Sequence, residues 1–263
     1  MLEKSKVLAI EDIIRNAGEI IRSADYSRLG ITQKTGSSNF VTEYDVKVQK
    51  YLEGELKKEF PECGFLAEEE GQGENKIGEG YTFVIDPIDG TTNFMLGRRS
   101  SVISVGLLKD GKPIFGGVYD PYNDKYYHAV LGGGAYCNDL RISVSDRSPQ
   151  SGVASLGTSP YYKDRFADGV GRLATGLLLE FGDIRRSGSA ALDICAIACG
   201  ECDGLCEHIL SPWDYTAGVA ILREAGGISS DFDGNELRFD IPTSTVFASA
   251  ASYDTIMNVI KKL

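Results

Sequence analysis

Two apolar runs, Ser101 to Leu108 and Pro113 to Tyr119, flank Lys109-Asp110-Gly111. No other stretch narrows the choice of fold as much, because Asp-Gly between apolar strand candidates is a strong hairpin signal. Lys125 to Val130 adds a further strand before the Gly132-Gly133-Gly134 turn. Upstream, Phe65-Leu66-Ala67 and Tyr81 to Ile85 read as strands separated by the Gly-rich, polar stretch Gly71 to Gly80. Helices precede them. Ile10, Ile13, Ile14, Ala17, Ile20, Ile21 and Ala24 fall on one face at helical spacing. A second helix is expected from Thr42, with Val48, Leu52, Leu56 and Phe60 inward and Pro61 closing it. Thr42 is its cap, and Asp45 three residues on is a partial capping box, since that motif prefers Glu or Gln.

The second half alternates. Val153 to Leu156 reads as a strand, Phe166 to Leu173 as a helix weakened by Gly169 and Gly171, and Ser187 to about Glu201 as another helix. Trp213 to Ala225 is helical and stopped by Gly226-Gly227. Thr245 to Ala248 is a strand and Ser252 to Lys261 a last helix. No repeat, low-complexity tract or linker interrupts the 263 residues. The expected organisation is one compact domain, 1–263, with an α+β half over roughly 1–148 and an α/β half over 149–263. With 27 Lys+Arg against 38 Asp+Glu, the net charge is −11, which lacks the footprint of a nucleic-acid binder. Met1 to Ala24 carries both charge signs, and its longest apolar run, Val7 to Ile10, is too short for a signal-peptide core. No run approaches the length of a membrane span. A reducing, cytoplasmic location is therefore expected, with the six cysteines as free thiols.

Chemistry gathers at strand ends. Glu68-Glu69-Glu70 follows one apolar strand, and Asp86 and Asp89 follow another. Clustered carboxylates repel one another unless a positive charge lies among them. Hard oxygen ligands on separate loops suit Mg²⁺, which keeps several waters and binds one or two carboxylates together with substrate phosphate. Glu70 alone reads as a solvated surface acid. The run Asp86-Pro87-Ile88-Asp89-Gly90-Thr91-Thr92-Asn93-Phe94 is different. Pro87 fixes φ at the strand exit, Gly90 permits close backbone approach, and Gly90, Thr91 and Thr92 can open a helix towards a phosphate. Thr91 adds a hydroxyl able to orient a water. Taken singly, each of these features describes an Asp-rich turn before a capped helix.

Together they resemble the signature of the inositol monophosphatase family, the lithium-sensitive, Mg²⁺-dependent phosphatases. Pro212-Trp213-Asp214-Tyr215-Thr216-Ala217-Gly218, continuing to Glu224-Ala225-Gly226-Gly227, resembles the second family signature. Gly188-Ser189-Ala190-Ala191-Leu192 and Asp203-Gly204 fit between them. The resemblance covers nearly the whole chain. It implies the layered α-β-α-β-α sandwich of the sugar phosphatase superfamily, two or three Mg²⁺ ions, and a homodimer. Glu68, Asp86 and the Ile88 carbonyl resemble the ligands of a first ion. Asp86, Asp89 and Asp214 resemble those of a second, and Glu68 the residue beside a weaker third. Asp45 and Thr91 resemble the pair that orients or deprotonates the attacking water. The Gly90 and Thr91 amides would hold phosphate; Gly188, Ser189, Ala190 and Glu207 would contact the alcohol of the substrate. Lys34, 11 residues before Asp45, has the spacing of a mobile catalytic loop. Two departures stand out: Asn39 where an Asp is common, and Met95-Leu96-Gly97-Arg98-Arg99-Ser100 without the usual proline.

The implied activity is Mg²⁺-dependent hydrolysis of a small phosphate monoester, with inositol monophosphate the leading substrate. Fructose 1,6-bisphosphatase, histidinol phosphatase and 3′-phosphoadenosine 5′-phosphate phosphatase are the enzymatic rivals. A partner-binding regulatory protein on the same fold is the rival of another class. Other signals carry less. Cys195, Cys199, Cys202 and Cys206 would form a helical stripe, but four thiolates strung along nearly three turns cannot meet on one ion. They read as small apolar packing. His128, His208, Arg98-Arg99 and Arg185-Arg186 read as surface or satisfied groups, and Trp213 as core packing that positions Asp214.

Overall fold

The computed structural model describes residues 2–34, 39–69 and 76–263; Glu70 and the start of the Gly71 to Gly80 stretch lie outside them. The first apolar stripe becomes α1 (Lys4–Arg22), burying Ile10, Ile13, Ile14, Ala17 and Ile21. A two-stranded ribbon, β1 (Thr32–Gln33) and β2 (Phe40–Val41), leads to α2 (Glu43–Glu59). The capping box forms with Asp in place of Glu: the Thr42 N–H donates to Asp45 Oδ2 at 2.7 Å, and the Asp45 N–H to Thr42 Oγ1 at 3.4 Å.

Then come β3 (Gly64–Ala67), β4 (Tyr81–Asp89), the single-turn α3 (Thr91–Met95), β5 (Val102–Lys109), β6 (Lys112–Asp120), β7 (Lys125–Val130), β8 (Gly134–Cys137) and β9 (Leu140–Ile142). The seven strands β3 to β9 form one sheet in chain order, parallel at β3–β4 and antiparallel thereafter. Asp110 and Gly111 both take positive φ, 52° and 77°, and Lys109 pairs with Lys112 across them. This is the two-residue turn that Asp-Gly favours.

The second half contains β10 (Val153–Leu156), α4 (Lys163–Glu180), β11 (Asp183–Arg185), α5 (Ala190–Ala198), β12 (Gly204–Leu210), α6 (Pro212–Glu224), β13 (Ile228–Ser230), β14 (Thr243–Ala248) and α7 (Tyr253–Ile260). Its sheet has the order β11-β10-β12-β14-β13. The β11, β10 and β12 strands run parallel, and β14 is antiparallel to both neighbours.

Three differences from the sequence reading have physical causes. Helix α4 runs on through Gly171, which meets open space, to Glu180, while Gly169 and Gly176 are close-approach points. A Cβ at either would stand 2.5 Å from His208 and 2.4 Å from Val259, respectively. Helix α5 is shorter than expected, starting where the Ser189 hydroxyl accepts the Leu192 N–H and ending before Gly200 at φ +70°. Sequence patterning assigns no strand to Gly204–Leu210, yet β12 is the middle of the second sheet and is covered on both faces rather than alternating between buried and exposed. The four cysteines therefore do not share a helix; Cys195 lies on α5 and Cys206 on β12, and all six thiols are free.

The layers follow from which faces are apolar. Helices α1 and α2 cover one face of the large sheet, packing Ile14, Val48 and Leu52 on Phe83 and Val105. Helices α5 and α6 lie between the sheets, with Ile194 and Ile221 among Val84, Val118, Leu205 and Phe247. Helices α4 and α7 cover the far face of the small sheet through Leu173, Leu177 and Ile256. The order is α-β-α-β-α. Among the described residues no helix is long and apolar enough to cross a membrane.

Candidate functional site

Strand β4 pairs regularly with β5 as far as Asp86↔Ser104, and the next pair is Asp89↔Val102. Pro87 has no N–H to give the ladder, and the Ile88 N–H turns instead to Asp86 Oδ1 at 3.0 Å. Such an irregularity re-aims the side chains around it. Gly90 follows at φ +93°, and α3 begins at Thr91. The Thr91 hydroxyl lies 3.2 Å from Asp45 Oδ1 and 3.2 Å from the Ile88 carbonyl oxygen. It carries one proton, so it donates to one of them at a time. Asp45 is fully buried, with Oδ2 held by the Thr42 N–H and hydroxyl and Oδ1 turned to Thr91.

The second half closes on this corner. The Asn93 side-chain amide donates to the Ser100 carbonyl at 2.7 Å and the Ser187 carbonyl at 2.9 Å, tying α3 to the segment before α5. Asp89 Oδ2 accepts from the Ser189 hydroxyl at 2.7 Å and the Ala191 N–H at 2.6 Å, an acid at the positive end of α5. Asp214 stands in the first turn of α6, where its Oδ2 accepts the Ser211 N–H at 2.7 Å. Glu68 follows β3, and Lys34 Nζ lies 3.3 Å from its Oε1 while also bonding the Glu69 carboxylate.

These residues line a cavity of about 620 Å³. Glu68, Asp86, Ile88, Asp89, Gly90, Thr91, Gly188, Ser189, Ala190, Glu207 and Asp214 are on its walls. Asp45 and Lys34 stand directly behind, touching Thr91 and Glu68. Asn39 is on the wall; positions 35–38 of the loop expected to be mobile lie outside the described residues. Glu207 Oε1 accepts the Ser159 N–H at 2.5 Å and so anchors the turn Pro160–Tyr162.

Arg185 and Arg186 are both exposed, as a surface pair would be, but Arg186 also borders the cavity, with its Nε donating to Thr158 Oγ1 at 2.9 Å. Tyr161 and Asp193 are also wall residues that the sequence reading missed. Ser159-Pro160 just after a strand is a turn signal that marks the first. Asp193 directly follows the Gly188 to Leu192 run. Arg98 and Arg99 are exposed and off the wall, and His208 stacks on Phe166 at 5.0 Å away from it. A second depression of about 590 Å³, between α4 and α7, has only solvent-facing or half-buried charged side chains.

Burial pushes the cavity carboxyls up. Asp86 and Asp214 are held well above the usual carboxylate range by burial, and repulsion within the group Glu68, Asp86, Asp89 and Asp214 adds to it. Burial lifts Asp89 to about 6 against the opposing bonds from Ser189 and Ala191. Glu68 rises to about 7 by burial although Lys34 opposes it. Burial also takes Glu207 to about 7. Among the described residues no three His, Cys, Asp or Glu side chains close on one point as a ready-made cage. Four carboxylates and a carbonyl nevertheless share one wall system, with no thiol or imidazole among them. That donor set fits a hard divalent cation of the Mg²⁺ kind, which needs only one or two carboxylates per ion and keeps its waters. A softer metal would find no thiolate or imidazole on this wall.

The sequence model of the Inositol monophosphatase family matches residues 3–263. The protein named Nus factor SuhB of Vibrio cholerae serotype O1 is 34% identical over 227 residues, covering 86% of this chain and 85% of the relative. The inositol-1-monophosphatase of Mesorhizobium japonicum is 34% identical over 228 residues, covering 86% and 85%. The crystal structure of extragenic suppressor protein suhB from Bartonella henselae superposes with a TM-score of 0.89 at 29% identity, covering 98% of this chain and 99% of that one.

Proposed function

The chain belongs to the inositol monophosphatase family, and on that footing we propose that it is a Mg²⁺-dependent phosphomonoesterase acting on inositol monophosphate or a closely related small alcohol phosphate. One observation carries the reading. The exit of β4, the start of α5 and the start of α6 place Asp86, Asp89 and Asp214 around one cavity, with the Asp45–Thr91 pair at its edge.

Glu68, Asp86 and the Ile88 carbonyl would hold a first ion, and Asp86, Asp89 and Asp214 a second, with Glu68 beside a weaker third. Bound there, the ions supply charge neutralisation of the phosphate and a lowered pKa for water. Asp45 accepts the hydrogen bond donated by the Thr91 hydroxyl, which leaves the Thr91 oxygen free to accept from, and so orient, the attacking water. The backbone N–H groups that open α3 at Gly90 and Thr91 face the phosphate. Ser189 and the Ala191 N–H hold Asp89 in place, and Glu207 with Arg186 forms the wall met by the alcohol. No covalent intermediate on the protein is required.

The test is inorganic phosphate release from inositol 1-phosphate, fructose 1,6-bisphosphate, histidinol phosphate and 3′-phosphoadenosine 5′-phosphate, with Mg²⁺ present or chelated, and with lithium added. Chelation is expected to stop release, and preference for inositol 1-phosphate supports the reading; equal turnover in chelator sinks it. Asp86→Asn should lower turnover by about 10³-fold or more while the protein stays folded. The relative named a Nus factor favours a second reading, a partner-binding role on the same surface or elsewhere. Such a role would survive Asp86→Asn. The homodimer and the cytoplasmic location implied by family resemblance belong to this proposal, and sedimentation measures the former.

A further inference from the structure

Helix α2 carries a buried polar stripe of which the chemistry above uses only Asp45. Asp45, Gln49 and Glu53 recur every fourth residue, hence on one face, and are 0%, 1% and 5% exposed among the apolar Val48, Leu52 and Leu56. Burying an amide is costly unless both its donor and its acceptor are satisfied. Gln49 satisfies both on the backbone of one residue. Its Oε1 accepts the Glu69 N–H at 2.9 Å, and its Nε2 donates to the Glu69 carbonyl at 2.8 Å. The same Nε2 also donates to Glu53 Oε1 at 2.9 Å.

The place where this happens matters. Strand β3 is the edge of the seven-stranded sheet, paired on one side only, with β4. Beyond its last residue the Glu68 N–H still reaches the Ile85 carbonyl at 3.1 Å, continuing the ladder. The backbone of Glu69, next in line, has its N–H and C=O both turned to Gln49 as an adjacent strand would take them. Gln49 thus acts as one residue of a missing strand, and Glu53 fixes which way round its amide lies. On the other side Lys34 bridges the Glu68 and Glu69 carboxylates. Glu68 is held between two backbone anchors, one from β4 and one from α2. Asp45 lies one helical turn from Gln49 on the same helix.

We propose that Gln49 is a positioning residue that holds Glu68 in register with Asp45, so that the ligand side and the water-orienting side of the cavity keep a fixed separation. This rests on the proposed function, since it concerns how Glu68 meets a divalent ion. Removing a group that orients a metal ligand typically costs 10- to 100-fold in ion affinity or activity. A methionine is unbranched and fills the same space without hydrogen bonds. Gln49→Met in the full-length protein is therefore expected to bind Mg²⁺ roughly tenfold more weakly by calorimetry on chelator-treated protein. The same variant should lose kcat by a similar factor, while KM for inositol 1-phosphate at saturating Mg²⁺ stays within about twofold, because the alcohol wall is untouched. Gln49→Met that is folded by circular dichroism and retains wild-type ion affinity and kcat overturns the role. An equal loss in KM with kcat unchanged also overturns it. Wild-type protein that neither binds Mg²⁺ nor releases phosphate overturns the proposed function itself, and the role with it. A measurement on the unaltered chain guards against misfolding of the variant: the Glu69 amide should exchange with solvent as slowly as the core amides of β4. Rapid exchange there would overturn the clamp.

Discussion

Gly90 has φ +93°, and a Cβ on it would stand 3.2 Å from the carbonyl oxygens of both Gly188 and Ser100. An L-residue in that conformation costs about 1–2 kcal/mol before any contact is counted. Neither carbonyl belongs to a flexible side chain that could swing aside. Gly90→Ala is therefore expected to lower unfolding free energy by about 2 kcal/mol, measured by urea titration. It should also reduce phosphate release by about a hundredfold, the scale of an ångström's misplacement at a reacting centre. Asp86 behaves in the opposite sense. It is buried and repelled by its neighbours, so Asp86→Asn is expected to abolish release without lowering the melting temperature in chelator. At this scale the sequence was informative, since Asp86, Asp89, Gly90 and Thr91 fall within one six-residue run and a local turn brings them to one wall. It did not reveal that Arg186 borders the cavity. A dipeptide of arginines has no period of its own, and only the turn into Ser187 and Gly188 brings one of the two exposed side chains to the cavity rim.

At the scale of elements, glycines decide how closely layers approach. A Cβ on Gly116 of β6 would stand 2.2 Å from the Ala217 carbonyl oxygen of α6, and one on Gly106 of β5 2.5 Å from Thr216. Strands β5 and β6 thus present a trough in which α6 lies, which carries Asp214 towards the end of β4. Gly116→Ala must push the helix off or break the strand, and overpacking of this kind costs about 1–3 kcal/mol. Chemical denaturation is expected to show that loss, together with weaker Mg²⁺ affinity because Asp214 moves with α6. Unchanged affinity in the destabilised variant would separate the trough from the site. The hairpin at Asp110-Gly111 and the amphipathic α1 were legible, because turn chemistry and helical period are local. The β12 strand was not. A strand buried on both faces has no alternation to read, and its Gly204 and Cys206 fit a helix tail as well until β10 and β14 pair with it on either side.

For the whole molecule, the layered sandwich gathers negative charge where the two sheets and their helices meet. Burial raises Glu68 and Glu207 to about 7 and Asp89 to about 6. A carboxyl whose folded pKa lies above its unfolded value contributes stability that is complete below the unfolded pKa and is lost as pH rises through the folded one. In chelator, the protein is therefore expected to lose melting temperature between about pH 4.5 and pH 7.5. Mg²⁺ should restore it, by about 2.7 kcal/mol at a hundred times its dissociation constant, and should restore more at pH 8 than at pH 5.5. A Mg²⁺ gain that is equal at both pH values would contradict a carboxylate site. The amino-acid sequence by itself determined the local chemistry: which strand ends carry acids, which turn needs glycine, which helices are amphipathic, and that Thr42 and Asp45 cap α2. Those depend on neighbours a few residues apart. Only the tertiary structure decided that Asp45 faces Thr91 across 46 positions, that Asp89 caps a helix starting a hundred residues later, and that Gln49 completes the edge of β3. These contacts join segments whose separation along the chain carries no signal, and they exist because the apolar faces of the layers admit one stacking.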